Sequence, residues 1–146
     1  MGDISKDIHS TFDNHRFKAF INIKYTANWI NSKEVEFFKS YGISPQQYNI
    51  LRILRGAADK IKVQVVKDRM VERAPNATRL MDKLVEKNLI HRSKGEVDRR
   101  EVYVAISDEG LLLLTEIDKE IDTLNPLDRL TENEAKLLSD LLDKIR

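Results

Sequence analysis

Residues 75–107 read PNATRLMDKLVEKNLIHRSKGEVDRREVYVAIS, and the order of patterns within this stretch decides the fold. Ala77, Leu80, Met81, Leu84 and Val85 share one side of a helix of 3.6 residues per turn, while Asn76, Arg79, Lys83 and Lys87 share another. Pro75 suits a first turn, where its missing N–H is no loss, and Asn88 suits the left-handed residue that ends a helix. The spacing predicts a helix over 75–88 with one packing side and one strip of hydrogen-bond donors. Val102, Val104 and Ile106 then alternate with Glu101, Tyr103 and Ala105, the period of a half-buried strand, and Ile90 to Ser93 can pair with them across a turn containing Gly95.

Upstream, KVQVVKDRMVERA (62–74) reads as a helix of about two turns, weak in propensity because of its valines. Before it, SPQQYNILRILRG (44–56) opens with Ser44, Pro45 and Gln47, a Ser-x-x-Gln capping box with proline in the first turn. Tyr48, Leu51 and Leu54 give that helix its buried face, and Gly56 is expected to stop it. Helix, helix and two-stranded ribbon in this order make a winged helix-turn-helix. The fold class expected is mainly α with a small antiparallel β-hairpin.

Long amphipathic segments flank this unit. From Thr11 to Ser40, apolar residues recur at three- and four-residue steps, predicting a long helix broken near Asn31 and Ser32 and ended by Gly42. It holds all five phenylalanines and the only tryptophan, more apolar surface than one stripe of a lone helix needs. On the other side, Ser107 caps a helix with Asp108 and Glu109 in its first turn, expected to run through Leu111 to Leu124 until Pro126. A Thr-x-x-Glu box at Thr131 and Glu134 opens a last helix with Leu137, Leu138, Leu141, Leu142 and Ile145 on one face. The expected organisation is an N-terminal dimerisation helix over 1–42, a winged helix-turn-helix over 43–106, and C-terminal dimerisation helices over 107–146.

The formal net charge of +1 conceals an uneven distribution: +2 over 1–59, +6 over 60–100 and −7 over 101–146. A basic island beside an acidic tail points to a polyanion partner for one module only, since counterion release rewards clustered Lys and Arg. There is no cysteine, which excludes disulfides, thiolate metal sites and a thiol nucleophile. No apolar stretch approaches the ~18 residues of a membrane span, and Asp3, Lys6, Asp7 and Asp13 are unlike a signal peptide. A cytoplasmic protein is expected.

Chemistry has no visible seat. His9 and Asp13 face together on a helix but His15 points elsewhere, and no third ligand has suitable spacing. A Gly-rich phosphate loop, a nucleophile elbow and a paired-acid constellation are all missing, so no catalytic residue, cofactor or metal is expected.

Double-stranded DNA is the partner the patterns favour. In a helix-turn-helix the start of the second helix meets base edges in the major groove, here Pro75, Asn76, Ala77, Thr78 and Arg79. Arginine can bond two acceptors of guanine, asparagine two atoms of adenine, and Thr78 or Ala77 can touch a thymine methyl. Asn76, Thr78 and Arg79 are the expected readers, with Lys83 on phosphate. The wing over 93–101 carries Lys94, Asp98, Arg99 and Arg100 toward the minor groove, where negative potential concentrates. Asp98 is expected to hold the guanidinium of Arg100 in a fixed direction through a charge-assisted bond. A dimeric winged helix that binds protein rather than DNA is the rival reading, because the amphipathic flanks suit either. Tyr25, Trp29 and Tyr48 are plausible linings of a ligand pocket.

The run from Ile43 to Gly110 resembles the MarR (multiple antibiotic resistance regulator) family, through SPQQYNILRIL, NATRLMDKLVEKNLIHR, DRREVYVAIS and DEG. The resemblance implies a homodimer on a palindromic operator, released by a small aromatic effector lodged between dimerisation and DNA-binding parts. It implies too that Arg100, the second arginine of the wing motif, enters the minor groove with Asp98 bracing it. This chain departs from the family at the turn between the two helices, where Met70, Val71, Glu72 and Arg73 replace the usual Leu-Gly-Leu-Ser.

Overall fold

A computed structural model describes residues 2–146. In chain order the elements are α1 (Ile4–Asp7), α2 (His15–Lys39), α3 (Pro45–Ala57), β1 (Ile61–Lys62), α4 (Val63–Arg69), α5 (Ala77–Glu86), β2 (Ile90–Lys94), β3 (Val102–Ile106), α6 (Asp108–Asp118) and α7 (Glu132–Asp143). Two short 3-10 turns, Ile121–Leu124 and Pro126–Arg129, connect α6 to α7.

The predicted capping box opens α3: the Ser44 hydroxyl accepts from the Gln47 backbone N–H at 3.1 Å, and the Gln47 side chain accepts from the Ser44 N–H at 3.0 Å. Gly56 does not stop this helix. Ala58 does, at a φ of 59°, a left-handed conformation that costs an L-residue about 1 kcal/mol. Asn88 takes the left-handed position after α5 as expected, with a φ of 57°. The Asn88 and Leu89 N–H groups then bond back to the carbonyls of Val85 and Leu84, the paired closure of a Schellman motif.

The ribbon gains a third strand. Residues 61–62 pair antiparallel with β3, Ile61 opposite Val104 and Lys62 opposite Tyr103, so the sheet order is β1-β3-β2. The β2–β3 pairing runs from Ile90 opposite Ile106 to Lys94 opposite Val102. Val104, in the central strand, is fully buried and joins Ile50, Leu51, Leu54, Met81, Leu84 and Leu114 in one core beneath the sheet.

α6 is shorter than its apolar pattern suggested, ending at Asp118 before the 3-10 turns. Its start is packed tightly. Ser107 caps it through the Gly110 N–H at 3.0 Å and donates to the Asn88 carbonyl at 2.6 Å. Gly110 passes so close beneath α5's end that a Cβ there would collide with the Leu89 carbonyl.

α2 is continuous through Asn31 and Ser32, with no break; the Ser32 hydroxyl donates within the helix to the Asn28 carbonyl at 2.9 Å. At 25 residues it spans about 37 Å. Phe38 is the one residue of α2 that is buried, whereas Phe17, Phe20, Ile23, Tyr25 and Trp29 lie exposed along 17–29. α7 opens on the predicted Thr131–Glu134 capping box and buries none of its residues. The apolar faces of α7 and of the 17–29 stretch of α2 are therefore uncovered within one chain, whereas α6 buries Leu114 and Ile117 in the core.

Candidate nucleic-acid interface

α5 begins at Ala77, two residues later than the proline suggested, because Pro75 and Asn76 form a turn closed by the Ala77 N–H on the Ala74 carbonyl at 3.0 Å. Asn76 precedes the first helical turn without spending its amide on a cap. Asn76, Thr78, Arg79 and Lys83 are all exposed, as is Pro75. Ala77 is not: it is 1% exposed and packs in the core, which removes it from the readers.

Side chains of α3 fix where this surface points. The Gln47 amide donates to the Leu80 carbonyl at 3.3 Å in the buried seam between α3 and α5. The Asn49 side chain accepts the Val71 N–H at 3.0 Å, and the Gln46 amide donates to Glu72 at 3.0 Å. These two bonds hold the Met70–Arg73 turn without the glycine and serine usual there. From the other side, Asp82 of α5 pairs with Arg92 of β2 at 2.5 Å.

The wing is a folded loop. The Gly95 N–H donates to the Glu101 carbonyl at 2.8 Å, and the Glu101 N–H to the Asp98 carbonyl at 3.1 Å. Gly95 is required by this approach, since a Cβ would collide with the Asp98 carbonyl and lie 3.3 Å from the Glu101 Cβ. The expected Asp98 bond to the Arg100 guanidinium is absent. The carboxylate instead accepts the Arg100 backbone N–H at 2.9 Å, an Asx turn that shapes the loop and leaves the guanidinium without an ion pair among the described residues. Lys94, Asp98, Arg99 and Arg100 are all exposed.

Sequence reasoning missed the base of the wing. Lys62 Nζ bonds one oxygen of the Glu101 carboxylate and the Tyr103 hydroxyl donates to the other at 3.1 Å. The Lys62 ammonium, helped by the Tyr103 hydroxyl, holds the Glu101 carboxyl below the usual carboxylate range; the same carboxylate pushes Lys62 and Tyr103 up. Lys60 lies 5.6 Å from the Tyr103 ring centre and 3.9 Å from Glu96.

A cleft of about 400 Å³ separates wing from α5, lined by Lys62, Gln64, Thr78, Arg92, Arg100 and Glu101 among others. A second, of about 590 Å³, runs under the α4–α5 turn past Lys67, Met70, Arg73 and Pro75. Lys62, Gln64, Lys67, Arg73 and Arg92 therefore join the polar surface; the signal in the sequence for the four cations was the charge of the 60–100 island, and Gln64 had none.

The three aromatic residues proposed for a ligand pocket line neither cleft. Tyr25 and Trp29 stand on the open side of α2, at 39% and 45% exposure, whereas Tyr48 stacks on Phe38 with ring centres 4.4 Å apart. Burial pushes the Tyr48 hydroxyl up in pKa. Among the described residues no group of three or more His, Asp or Glu side chains is placed to hold a metal, and no helix is long and apolar enough to cross a membrane.

The sequence profile of the MarR family matches residues 43–102, from the start of α3 to the start of β3. The HTH-type transcriptional regulator MhqR of Bacillus subtilis is 26% identical over 132 residues, 88% of this chain and 89% of that protein. The crystal structure of a MarR transcription factor from Planctomyces limnophilus is 31% identical, with a TM-score of 0.71 over 91% of this chain and 98% of that one. A mutant of Escherichia coli MarR complexed with operator DNA shares the fold, with a TM-score of 0.75 at 22% identity over 99% of each chain. With this likeness along nearly its whole length, the chain belongs to the MarR family of winged-helix transcription regulators.

Proposed function

We propose that two copies of this chain bind a palindromic operator in double-stranded DNA. Each copy lays the 75–88 segment in the major groove, with Asn76, Thr78 and Arg79 on base edges, Pro75 beside them and Lys83 on phosphate. The wing over 93–101 enters the flanking minor groove with Arg99 and Arg100, while Lys94 meets the backbone. One observation carries this reading: Thr78 at the start of α5 and Arg100 on the wing line the same open cleft, so a single duplex can engage both. The Escherichia coli relative complexed with operator DNA supports the partner class.

The segments over 1–42 and 107–146 supply the dimer interface, and 43–106 the DNA-binding unit. Support comes from the uncovered apolar faces of α2 and α7, which a second copy would bury. A small aromatic effector releases the DNA from between the two parts; within one chain Tyr25, Trp29 and Tyr48 line neither cleft, so a site there would need the second copy. Trp29 is the only tryptophan, so its fluorescence reports binding there. The place of action is the cytoplasm, with the DNA.

Selection of bound duplexes from a random pool tests the whole reading. The expected product is an inverted repeat with half-site centres about 10 base pairs apart, bound with affinity that falls steeply as salt rises. Salt-insensitive binding, or none, favours a winged-helix protein-interaction module instead.

A further inference from the structure

We infer that Glu101 is a positioning residue that fixes the distance of the wing from α5, and so sets the preference for operator over other duplex DNA. The inference rests on the DNA-binding reading above. Residue 101 is held at four points. Its N–H donates to the Asp98 carbonyl, its carbonyl accepts the Gly95 N–H, and its carboxylate takes Lys62 on one oxygen and the Tyr103 hydroxyl on the other. The two backbone bonds close the wing loop on itself. Beside the long Lys60–Glu96 pair at 3.9 Å, the carboxylate ties that loop to β1 through a direct bond to Lys62, and β1 leads into α4 on the far wall of the cleft from the wing.

A carboxylate in this place is costly for general DNA affinity. It repels phosphate, and it occupies Lys62, a cation that would otherwise be free to release counterions. What it supplies in return is direction. Arg100, the residue before it in the chain, has a guanidinium with no ion partner among the described residues, so its aim depends on the backbone that carries it. Tethering residue 101 to β1 restricts that backbone before DNA arrives, which lowers the ordering cost of inserting Arg100 at the matched site.

This makes a prediction with two opposite signs. Glu101→Gln preserves shape and an acceptor oxygen but removes the charge. Binding to a scrambled duplex should then tighten, its log-log salt slope steepening by about 0.9 as Lys62 becomes available to phosphate. The ratio of operator to scrambled affinity should fall about tenfold, within the range for coupled neighbours. A mere loss of folding would weaken both duplexes together.

The test measures Kd for the selected operator and a scrambled duplex of equal length across a salt series, using the full chain. It compares wild type, Glu101→Gln, Arg100→Ala, their double variant, and the charge swap Lys62→Glu with Glu101→Lys. If Glu101 acts through Arg100, Glu101→Gln changes the ratio by less than about twofold once Arg100 is alanine. The charge swap, which rebuilds the tether at unchanged net charge, restores the ratio to within about threefold of wild type. An unchanged ratio in Glu101→Gln, or a loss that persists in the Arg100→Ala background, overturns the inference while leaving DNA binding intact. Wild-type protein that binds neither duplex overturns the DNA reading itself.

Discussion

Asp98 accepts the backbone N–H of Arg100 at 2.9 Å and does not touch its guanidinium. The acid builds the turn that presents the arginine. Asparagine has the same acceptor oxygen at the same place and supports the same turn, whereas alanine has none. Asp98→Asn should therefore keep operator affinity within about threefold, and Asp98→Ala should lose about tenfold, the cost of roughly one hydrogen bond in the free loop. Fluorescence anisotropy with labelled operator checks both. An Asp98→Asn protein as impaired as the alanine variant would return the role to the charge.

In the proposed complex the donor strip of α5 separates reading from anchoring. Arg79 is exposed near the helix start, one turn before Lys83, and neither forms an ion pair among the described residues that would hold it away from DNA. Arg79→Ala should cost about 1–3 kcal/mol on the operator and relax the preference at one base pair. Lys83→Ala should weaken every sequence alike and flatten the salt slope by about one. Competition binding against single-base operator variants distinguishes them; a uniform loss for Arg79→Ala would remove that residue from the readers.

Stability hinges on a close approach at the junction of wing and α6. The Leu89 carbonyl accepts the Ser107 N–H at 3.1 Å directly over Gly110, and a Cβ at 110 would collide with it while lying 2.7 Å from Ile106 Cγ1. Neither neighbour is free to retreat, since one is backbone and the other is the end of β3. Gly110→Ala should destabilise the fold by about 2 kcal/mol or more through overpacking. For a chain of this size that is a fall of roughly 4–8 °C in Tm. A Tm within 1 °C of wild type would show that the two chains of backbone can separate cheaply.

Much of this architecture is legible in the sequence because local rules state it redundantly. Ser44 with Gln47, Thr131 with Glu134, Ser107 and Asn88 each mark a helix end by their own chemistry, and each is found at that end. What escaped depends on partners distant in the chain. β1 is two residues long, too short for any period, and exists because Tyr103 and Val104 lie opposite it. Ala58 replaces Gly56 as the end of α3 at a conformational cost that composition does not reveal. The donor face of α5 was visible by spacing, as was the place of Ala77 on the packing side; counting Ala77 also among the residues at the base edges overlooked that its burial in the core leaves it no access to them. The Lys62–Glu101 tether joins residues 39 apart, and the Asp98 bond differs from expectation by a backbone atom against a side-chain atom. Periodicity resolves faces, not partners.

Glu34 offers a test by pH. It lies on α2, where partial burial, and after that repulsion from Glu72 in the α4–α5 turn, pushes its carboxyl above the ordinary value of 4.5. A raised value in the folded state means that the folded protein holds this proton more tightly than the unfolded chain. Stability from this residue is thus greatest at low pH and is lost as pH rises from the ordinary value through the raised one. Glu34→Gln should melt higher than wild type at pH 7, with the gap closing as pH falls below 4.5. Melting curves across pH 4 to 8 measure it. A gap that widens toward acid would contradict the assigned sign.

The last helix should not stand alone. α7 has 12 residues, buries none of them, and carries Leu137, Leu138 and Leu141 exposed on its surface, with Ile145 exposed just after it. An isolated helix of this length is marginal in water even with a good cap, so its order calls for a partner surface. The uncovered 17–29 stretch of α2, with Phe17, Phe20, Ile23 and Trp29, is of the same apolar character, and in the proposed dimer a second copy would bring both faces together. Leu141→Glu places a charge in the middle of the leucine face. It should convert the proposed dimer to monomer at micromolar concentration, lower the far-UV helix signal by about the content of α7, and weaken operator binding by the loss of the second half-site. Sedimentation equilibrium alongside circular dichroism reads the first two, and anisotropy the third. A Leu141→Glu protein that stays dimeric with undiminished helicity would place the interface elsewhere, whereas a monomeric variant with full operator affinity would mean that one copy reads the site alone.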